Sequence, residues 1–343
     1  MDNQSFLEAW RAGQLFFTLQ TSGSTGTPKP ILLTRAQMEA SARLTGQTFG
    51  LQPGDKALVC LATGYVAGVM MLVRGEVLGL DLTIVSPSAN PLGTFDPATT
   101  RFDFAAFVPL QLQTMLADLD PLGRPVALPI LNGMKAILVG GSATSPALEA
   151  ATQLIQAPVF STYGMTETVS HIAIRRLNGP ERTGLFHVLP GVAVGTDERG
   201  CLHITAAATN FERIQTNDVV ELVQPASVHD QVRFRLIGRA DSVINSGGVK
   251  IQPESVERVV ADVLAEYRLS PRLFVAGLPD ERLGQRVVLF LENTPLTDNQ
   301  WQVIRQAVQS SLGTYAAPKS WRNVPAFMET ATGKIDRRGT ANL

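Results

Sequence analysis

Short runs of buried-strand character alternate with longer stretches of helical character through the first two thirds of the chain, and that alternation predicts an α/β architecture. Residues 15–19 read as a strand, the glycine- and serine-rich residues 21–27 as a loop, and residues 34–48 as a helix. The helix is opened by the Thr34/Gln37 capping-box spacing and carries Met38, Ala42 and Leu44/Thr45 near one face. Residues 57–61, 82–85, 105–108, 136–139 and 159–162 are short apolar or β-branched runs of the fully buried strand type. Ser145 followed by Pro146 is an N-cap and first-turn pair that opens a helix over 147–155.

From about residue 188 the pattern shortens into β-like pieces separated by turns, predicting a mostly antiparallel subdomain that ends with a strand at 234–237. The polar, turn-prone Arg239-Ala240-Asp241-Ser242 follows, and the domain boundary is placed there: a large domain over 1–238 and a small α+β domain over 239–343. In the small domain, residues 253–264 form an amphipathic helix with Val256, Val259, Val260, Val263 and Leu264 on one face. Thr297/Gln300 is a second capping box opening a helix over 297–312, and strands are expected at 273–276 and 286–291.

Composition narrows the function. Hydrophobic residues make up 45% and charged residues 17% of 343, enough for two buried cores and too little charge for a disordered chain. A net charge of −1 provides no field for nucleic acid or an anionic membrane, so any phosphate is gripped locally. Cys60 and Cys201 show no metal-ligand spacing and cannot build a disulfide framework. The N-terminus lacks the basic-then-apolar pattern of a signal peptide, and the longest uncharged apolar stretch, 58–73, is broken by Gly64 and Gly68 and closes at Arg74, short of the ~18 residues of a membrane span. A cytoplasmic protein without a membrane span is expected, with homo-oligomerisation left open.

Five segments carry candidate chemistry. Thr21-Ser22-Gly23-Ser24-Thr25-Gly26-Thr27-Pro28-Lys29 packs hydroxyls, glycines and a lysine into a loop suited to phosphate oxygens, but Pro28 excludes the Walker pattern. Tyr163-Gly164-Met165-Thr166-Glu167-Thr168 follows a strand at the end where open α/β sheets bind ligands; its ring suits a base, Thr166 a phosphate and Glu167 a Mg²⁺. Thr216-Asn217-Asp218 and the stretch from Gly238-Arg239 to Pro253-Glu254 place an aspartate and an arginine where ribose hydroxyls would be held, and Gly333-Lys334 is a lysine on a glycine turn.

Taken in order, these segments resemble the adenylate-forming superfamily of acyl-CoA synthetases, adenylation domains and luciferases, over residues 15 to 338. The resemblance implies a phosphate loop at Thr21 to Lys29, an adenine-backbone segment at Gly140-Gly141-Ser142, an aromatic-Gly-x-Thr-Glu motif at Tyr163 to Thr168, a ribose aspartate at Asp218, a hinge at Asp241 and a catalytic lysine at Lys334. Within the superfamily, the run from Tyr163 through Ser170-His171 to Ala173 resembles the ligases that join o-succinylbenzoate to coenzyme A in menaquinone biosynthesis. Two departures stand out: the phosphate loop is reached by residue 21, implying a missing or reduced outer subdomain, and Asn217 replaces the glycine usual before the ribose aspartate.

The implied substrates are ATP with Mg²⁺, a small carboxylic acid and coenzyme A. The small domain would rotate about Asp241 between adenylation and thioester formation, bringing Gly247-Gly248 to a pantetheine passage. The alternative is adenylation of a different carboxylate, delivered to coenzyme A or to a carrier protein. For a substrate with a second carboxylate, Arg74, Ser170 and His171 are the candidate contacts; Arg74 reads equally well as a helix-terminal charge or a partner of Glu76.

Overall fold

The computed structural model describes residues 2–20, 29–225, 230–330 and 334–343. Helix α1 (Asn3–Arg11) is capped by Asp2, and a two-stranded antiparallel ribbon of β1 (Phe16–Gln20) and β2 (Pro30–Thr34) leads into α2 (Arg35–Phe49). The expected Thr34/Gln37 capping box is formed. The chain continues through β3 (Lys56–Val59), α3 (Val66–Leu78), β4 (Asp81–Ile84), β5 (Phe104–Phe107), α4 (Pro109–Ala117), α5 (Leu128–Asn132), β6 (Ala136–Val139), α6 (Pro146–Ala151) and β7 (Val159–Gly164). It then enters β8 (His171–Arg176), β9 (Phe186–Val188), β10 (Ala193–Thr196), β11 (Cys201–Thr205), β12 (Ile214–Val223) and β13 (Arg233–Arg239).

Strands β3 to β13 hydrogen-bond into one sheet in the order β10-β11-β12-β13-β9-β8-β7-β6-β5-β3-β4. The β3 to β7 pairs are parallel and every pair from β7–β8 outward is antiparallel. The antiparallel half is therefore an extension of the parallel sheet, where the sequence pattern suggested a separate unit. Strand alternation sends Ala57, Val59, Phe104, Ala136 and Leu138 against α1–α3 and sends Leu58, Ala105, Phe107, Ile137 and Val139 against α4–α6, so helices cover both faces of the parallel half. Helix α3 has every residue from Gly68 to Gly75 buried. An all-round apolar helix has no 3.6-residue polar stripe, which is why periodicity gave no sign of it.

The remaining chain forms a second sheet from β14 (Ile244–Ser246), β15 (Val249–Ile251), β16 (Leu273–Asp280), β17 (Gly284–Glu292) and β18 (Ser320–Val324). Helices α7 (Pro253–Glu266) and α8 (Asp298–Leu312) cover one face through Val256, Val260, Ile304 and Val308 against Val287, Leu289 and Leu291. The other face, Phe274, Val288 and Phe290, is covered by Phe327, Ile335 and Ala341, the last from the C-terminal helix α9 (Arg337–Ala341). The second capping box, Thr297/Gln300, is formed as well.

Candidate active site

The direction change between β7 and β8 defines the site. β6 and β7 run parallel, so their carboxyl ends bring Gly140–Ser142 and Gly164–Glu167 to one edge of the sheet, the edge at which open α/β sheets receive ligands. The glycines are required by packing: a Cβ on Gly140 would lie 2.3 Å from Thr162 Oγ1, and one on Gly164 would lie 2.1 Å from the Ser170 carbonyl oxygen.

Beside that edge, the Tyr163 hydroxyl donates to Asp218 Oδ2 (2.6 Å), and Arg239 Nη1 donates to Asp218 Oδ1 (3.1 Å). Asp218 and Arg239 face each other across the β12–β13 ladder. Arg239 is also forked onto Asp241 through Nε (2.9 Å) and Nη2 (2.7 Å), and the Asn217 amide donates to Asp241 (3.4 Å). Asn217, inside β12 where the sequence suggested a turn, thus ties the strand next to Asp218 to the position expected to be the hinge. The Tyr163 ring packs edge-on to Phe186 and Phe234, and burial, then the Asp218 charge, pushes its hydroxyl well above the ordinary tyrosine value. Lys334 is half-buried, and its ammonium is pulled below the ordinary lysine value first by burial and then by the Arg239 guanidinium. The lysine of the C-terminal segment is therefore close enough to the Arg239 guanidinium to feel its charge.

The turn after β7 is strained. Val169, fully buried, has φ 65° and ψ −49°, and Ser170 N–H donates to Thr168 C=O (2.7 Å). This three-residue turn of the rare, strained hand is a costly conformation for a β-branched side chain. The Thr168 hydroxyl holds it, donating to the carbonyls of Ser170 (2.8 Å) and Met165 (3.1 Å). Its effect is to aim Ser170 and His171 inward at α3.

There they meet Arg74, which is only 2% exposed. Its guanidinium donates to Ser170 Oγ (2.8 Å), Thr45 Oγ1 (3.2 Å) and, weakly, Met71 Sδ (3.4 Å). No acidic side chain among the described residues pairs with it; Glu76 is taken by Arg11 at 2.6 Å. Burial lowers Arg74 to about 10. His171 Nδ1 lies 3.3 Å from Ser170 Oγ, while its Nε2 is buried with no partner among the described residues. Sequence reasoning singled out these three residues but missed Thr45 and the Val169 turn. Thr45 had a weak signal, a hydroxyl on the core-facing side of α2.

His171 makes a pH prediction. Burial, reinforced by the Arg74 charge, lowers it from 6.5 to about 3. Between those values the unfolded chain binds a proton that the folded chain refuses, so stability falls as pH drops below 6.5, by up to about 1.4 kcal/mol per unit. Urea unfolding of the wild type and His171→Phe between pH 7 and 5 should show a shallower acid loss in the variant; parallel curves would exclude this assignment.

Other predicted residues fall as follows. Glu167, on a short turn (Thr166–Thr168), makes no hydrogen bond or ion pair among the described residues, and Thr166 beside it is buried. Lys29 is exposed immediately before β2, while Thr21, Ser22, Gly23, Ser24, Thr25, Gly26 and Gly333 lie outside the described residues. Gly247 (φ 59°) and Gly248 (φ 82°) are the two-residue turn of the β14–β15 hairpin, where positive φ at both positions calls for glycine. Burial raises Cys60 to about 12 and raises Cys201 as well, so neither thiol is a ready nucleophile. No helix among the described residues is long and apolar enough to cross a membrane.

Comparison with known proteins identifies the family and fold. A Mycobacterium tuberculosis protein named "Probable 2-succinylbenzoate--CoA ligase" is 30% identical over 354 residues, covering 98% of this chain and 87% of its own. The solved structure of an acyl-CoA synthetase (AMP-forming)/AMP-acid ligase II-like protein from Dyadobacter fermentans is 43% identical, with a TM-score of 0.62 over 98% of this chain and 92% of the other. The o-succinylbenzoate coenzyme A synthetase of Bacillus subtilis, solved with ATP and magnesium ion, shares the fold at 19% identity, with a TM-score of 0.72 over 94% of this chain and 69% of the other. Residues 4–195 match the family described as AMP-binding enzyme. With more than half its length inside that match and a relative 30% identical over nearly the whole chain, the chain belongs to the AMP-binding enzyme family.

Proposed function

We propose that this chain joins o-succinylbenzoate to coenzyme A in two steps, through an acyl-adenylate made from ATP. The observation that carries the substrate is the buried Arg74 guanidinium, held by neutral groups alone. A lone cation out of water costs several kcal/mol, and a ligand carboxylate seated on it converts that cost into affinity and selectivity. A monocarboxylate spends its only charge on the reaction; a dicarboxylate has a second one for Arg74. The relatives named for 2-succinylbenzoate point to the same acid.

In the first step a carboxylate oxygen attacks the α-phosphorus of ATP, the acyl–phosphate bond forms, and pyrophosphate leaves with the electrons of the broken bond. The demand is for positive charge where the α-phosphate gains negative charge. Lys334 is assigned to that place, between the reacting carboxylate and an α-phosphate oxygen. Asp218, with Tyr163 and Arg239 on its oxygens, would accept the ribose hydroxyls. The backbone at Gly140–Ser142 would take the adenine, and Thr166, Lys29 and the loop from Thr21 to Gly26 the phosphates. Glu167 would hold the Mg²⁺ of the nucleotide, since Mg²⁺ is commonly bound through one or two carboxylates, and the ion would supply positive charge to offset that of the phosphates.

In the second step the coenzyme A thiol attacks the acyl carbon, the thioester forms, AMP leaves and the thiol proton passes to solvent. The unit 239–343 turns about Asp241 between the steps, withdrawing Lys334 and presenting Gly247-Gly248 to the pantetheine arm. Pyrophosphate release with a panel of acids tests the reading: kcat/KM is highest for o-succinylbenzoate, with coenzyme A outperforming a holo-carrier protein as acceptor. A preference for benzoate, a fatty acid or an amino acid would overturn it.

A further inference from the structure

We infer that Arg337 and Glu257 are positioning residues for adenylation, a clamp that sets where the Lys334 ammonium stands without touching substrate; this rests on the assignment of Lys334 above. On its N-terminal side the segment carrying Lys334 is tied through its own backbone and side chains. Thr330 N–H donates to Lys334 C=O (2.8 Å), Lys334 N–H donates to Thr330 Oγ1 (3.2 Å), and Glu329 and Ile335 form an isolated antiparallel bridge. Behind it the chain is fastened. Asp336 N–H donates to Met328 C=O (2.7 Å), the Asp336 carboxylate caps α9 by accepting from Gly339 N–H (2.9 Å), and Arg337 follows, three residues beyond Lys334. That spacing leaves at most about 11 Å of chain between the two residues, so the place of Arg337 bounds the place of the lysine.

Arg337 is gripped across the free edge of the second sheet. β16 is an edge strand, and its Val275 N–H donates to Glu257 Oε1 (2.8 Å) instead of to another strand. Glu257 comes from α7, on one face. The Arg337 guanidinium arrives from the segment covering the other face and meets the same carboxylate in a two-pronged pair, Nη1 to Oε1 at 2.7 Å and Nη2 to Oε2 at 3.0 Å. It also lies over the Phe274 ring, 5.9 Å from its centre. A forked arginine–carboxylate pair fixes direction as well as distance. On the opposite strand of the turn, Glu329 is held by Arg272 at 2.6 Å, so both arms leading to Lys334 are anchored to the same unit.

A clamp that served only stability would affect both half-reactions, because both use residues 239–343. A positioning clamp affects the step that needs Lys334. Arg337→Met is expected to slow acyl-adenylate formation by about 100-fold, the size of effect a displacement near 1 Å produces. Transfer to coenzyme A from a supplied acyl-adenylate should stay within a few-fold of wild type, and Arg337→Lys, with charge but no fork, should recover part of the first step. Burial already holds the Glu257 carboxyl above the usual carboxylate range, and removing the Arg337 charge in Arg337→Met disfavours its charged form further. If Arg337→Met loses both steps, Glu257→Gln, which keeps the shape and the Val275 contact, must show the split. Both steps lost, or neither, in both variants overturns the clamp. Lys334→Ala run alongside separates the two levels: if it leaves adenylation intact, the assignment of the lysine itself fails, and if it alone loses adenylation, only the clamp does.

Discussion

Lys334→Ala should lose acyl-adenylate formation by about a hundred- to a thousand-fold, the usual effect of removing one preorganised group from a developing negative charge, while thioester formation from a supplied acyl-adenylate proceeds nearly unchanged. The expectation follows from where the lysine stands. It is half-buried and close enough to feel the charge of Arg239, which is bonded to Asp218, and the adenylation role proposed for it puts it beside the nucleotide. Burial and the Arg239 charge both lower its affinity for a proton, a combination tolerated because an anionic nucleotide and carboxylate would enter between the two cations. The complementary probe is Gly248. A side chain added at Gly247 would strike the Tyr315 ring at 2.5 Å, whereas a Cβ at Gly248 meets nothing within 4 Å. Gly248→Leu therefore avoids that clash, at the cost of a side chain at φ 82°, and should obstruct transfer while sparing adenylation. Single-turnover measurement of each half-reaction decides it; equal damage to both steps by both variants removes the rotating-domain account.

The second large effect is expected at Arg74, with opposite signs in two measurements. Arg74→Met should lower kcat/KM for o-succinylbenzoate by about a hundred-fold or more, since removing one partner of a buried charge pair costs roughly 2–5 kcal/mol. The same substitution should stabilise the ligand-free protein by an amount on the order of 1–4 kcal/mol, because an apolar side chain of similar length replaces a buried cation. The neighbours are not stranded by the change. Thr45 Oγ1 keeps its bond to Ser41 C=O (3.0 Å) and Ser170 Oγ its contact with His171. Denaturation and steady-state kinetics on the same variant check both signs. A variant that unfolds more easily and still prefers the dicarboxylate would make Arg74 a structural cation.

How far the chain can be read before it is folded depends on the range of the interaction involved. The two capping boxes, the Ser145 cap and most core strands lie where the pattern of apolar and polar residues puts them, because a cap spans three residues and a strand alternates every second one. The chemistry-bearing segments were legible for a related reason: each is a contiguous stretch whose residue types already suit phosphate, base or metal. Helix α1 gave no such signal, its Asp2 cap standing at the second residue of the chain. α3 concealed itself by being apolar on all sides.

The sequence by itself determined the alternation of elements, the helix starts and the inventory of reactive groups. Tertiary structure alone decided which of those groups meet. Arg74 finds Ser170 across 96 positions, Tyr163 finds Asp218 across 55 and Arg337 finds Glu257 across 80. No local rule relates residues so far apart; what relates them is the order of strands in a sheet and the one-residue register that turns a side chain inward or outward. The direction change after β7, bent through Val169, is the point where that global choice acts on the site. It turns Ser170 and His171, two of the candidate substrate contacts read from the sequence, toward the buried Arg74, where the second carboxylate is proposed to sit.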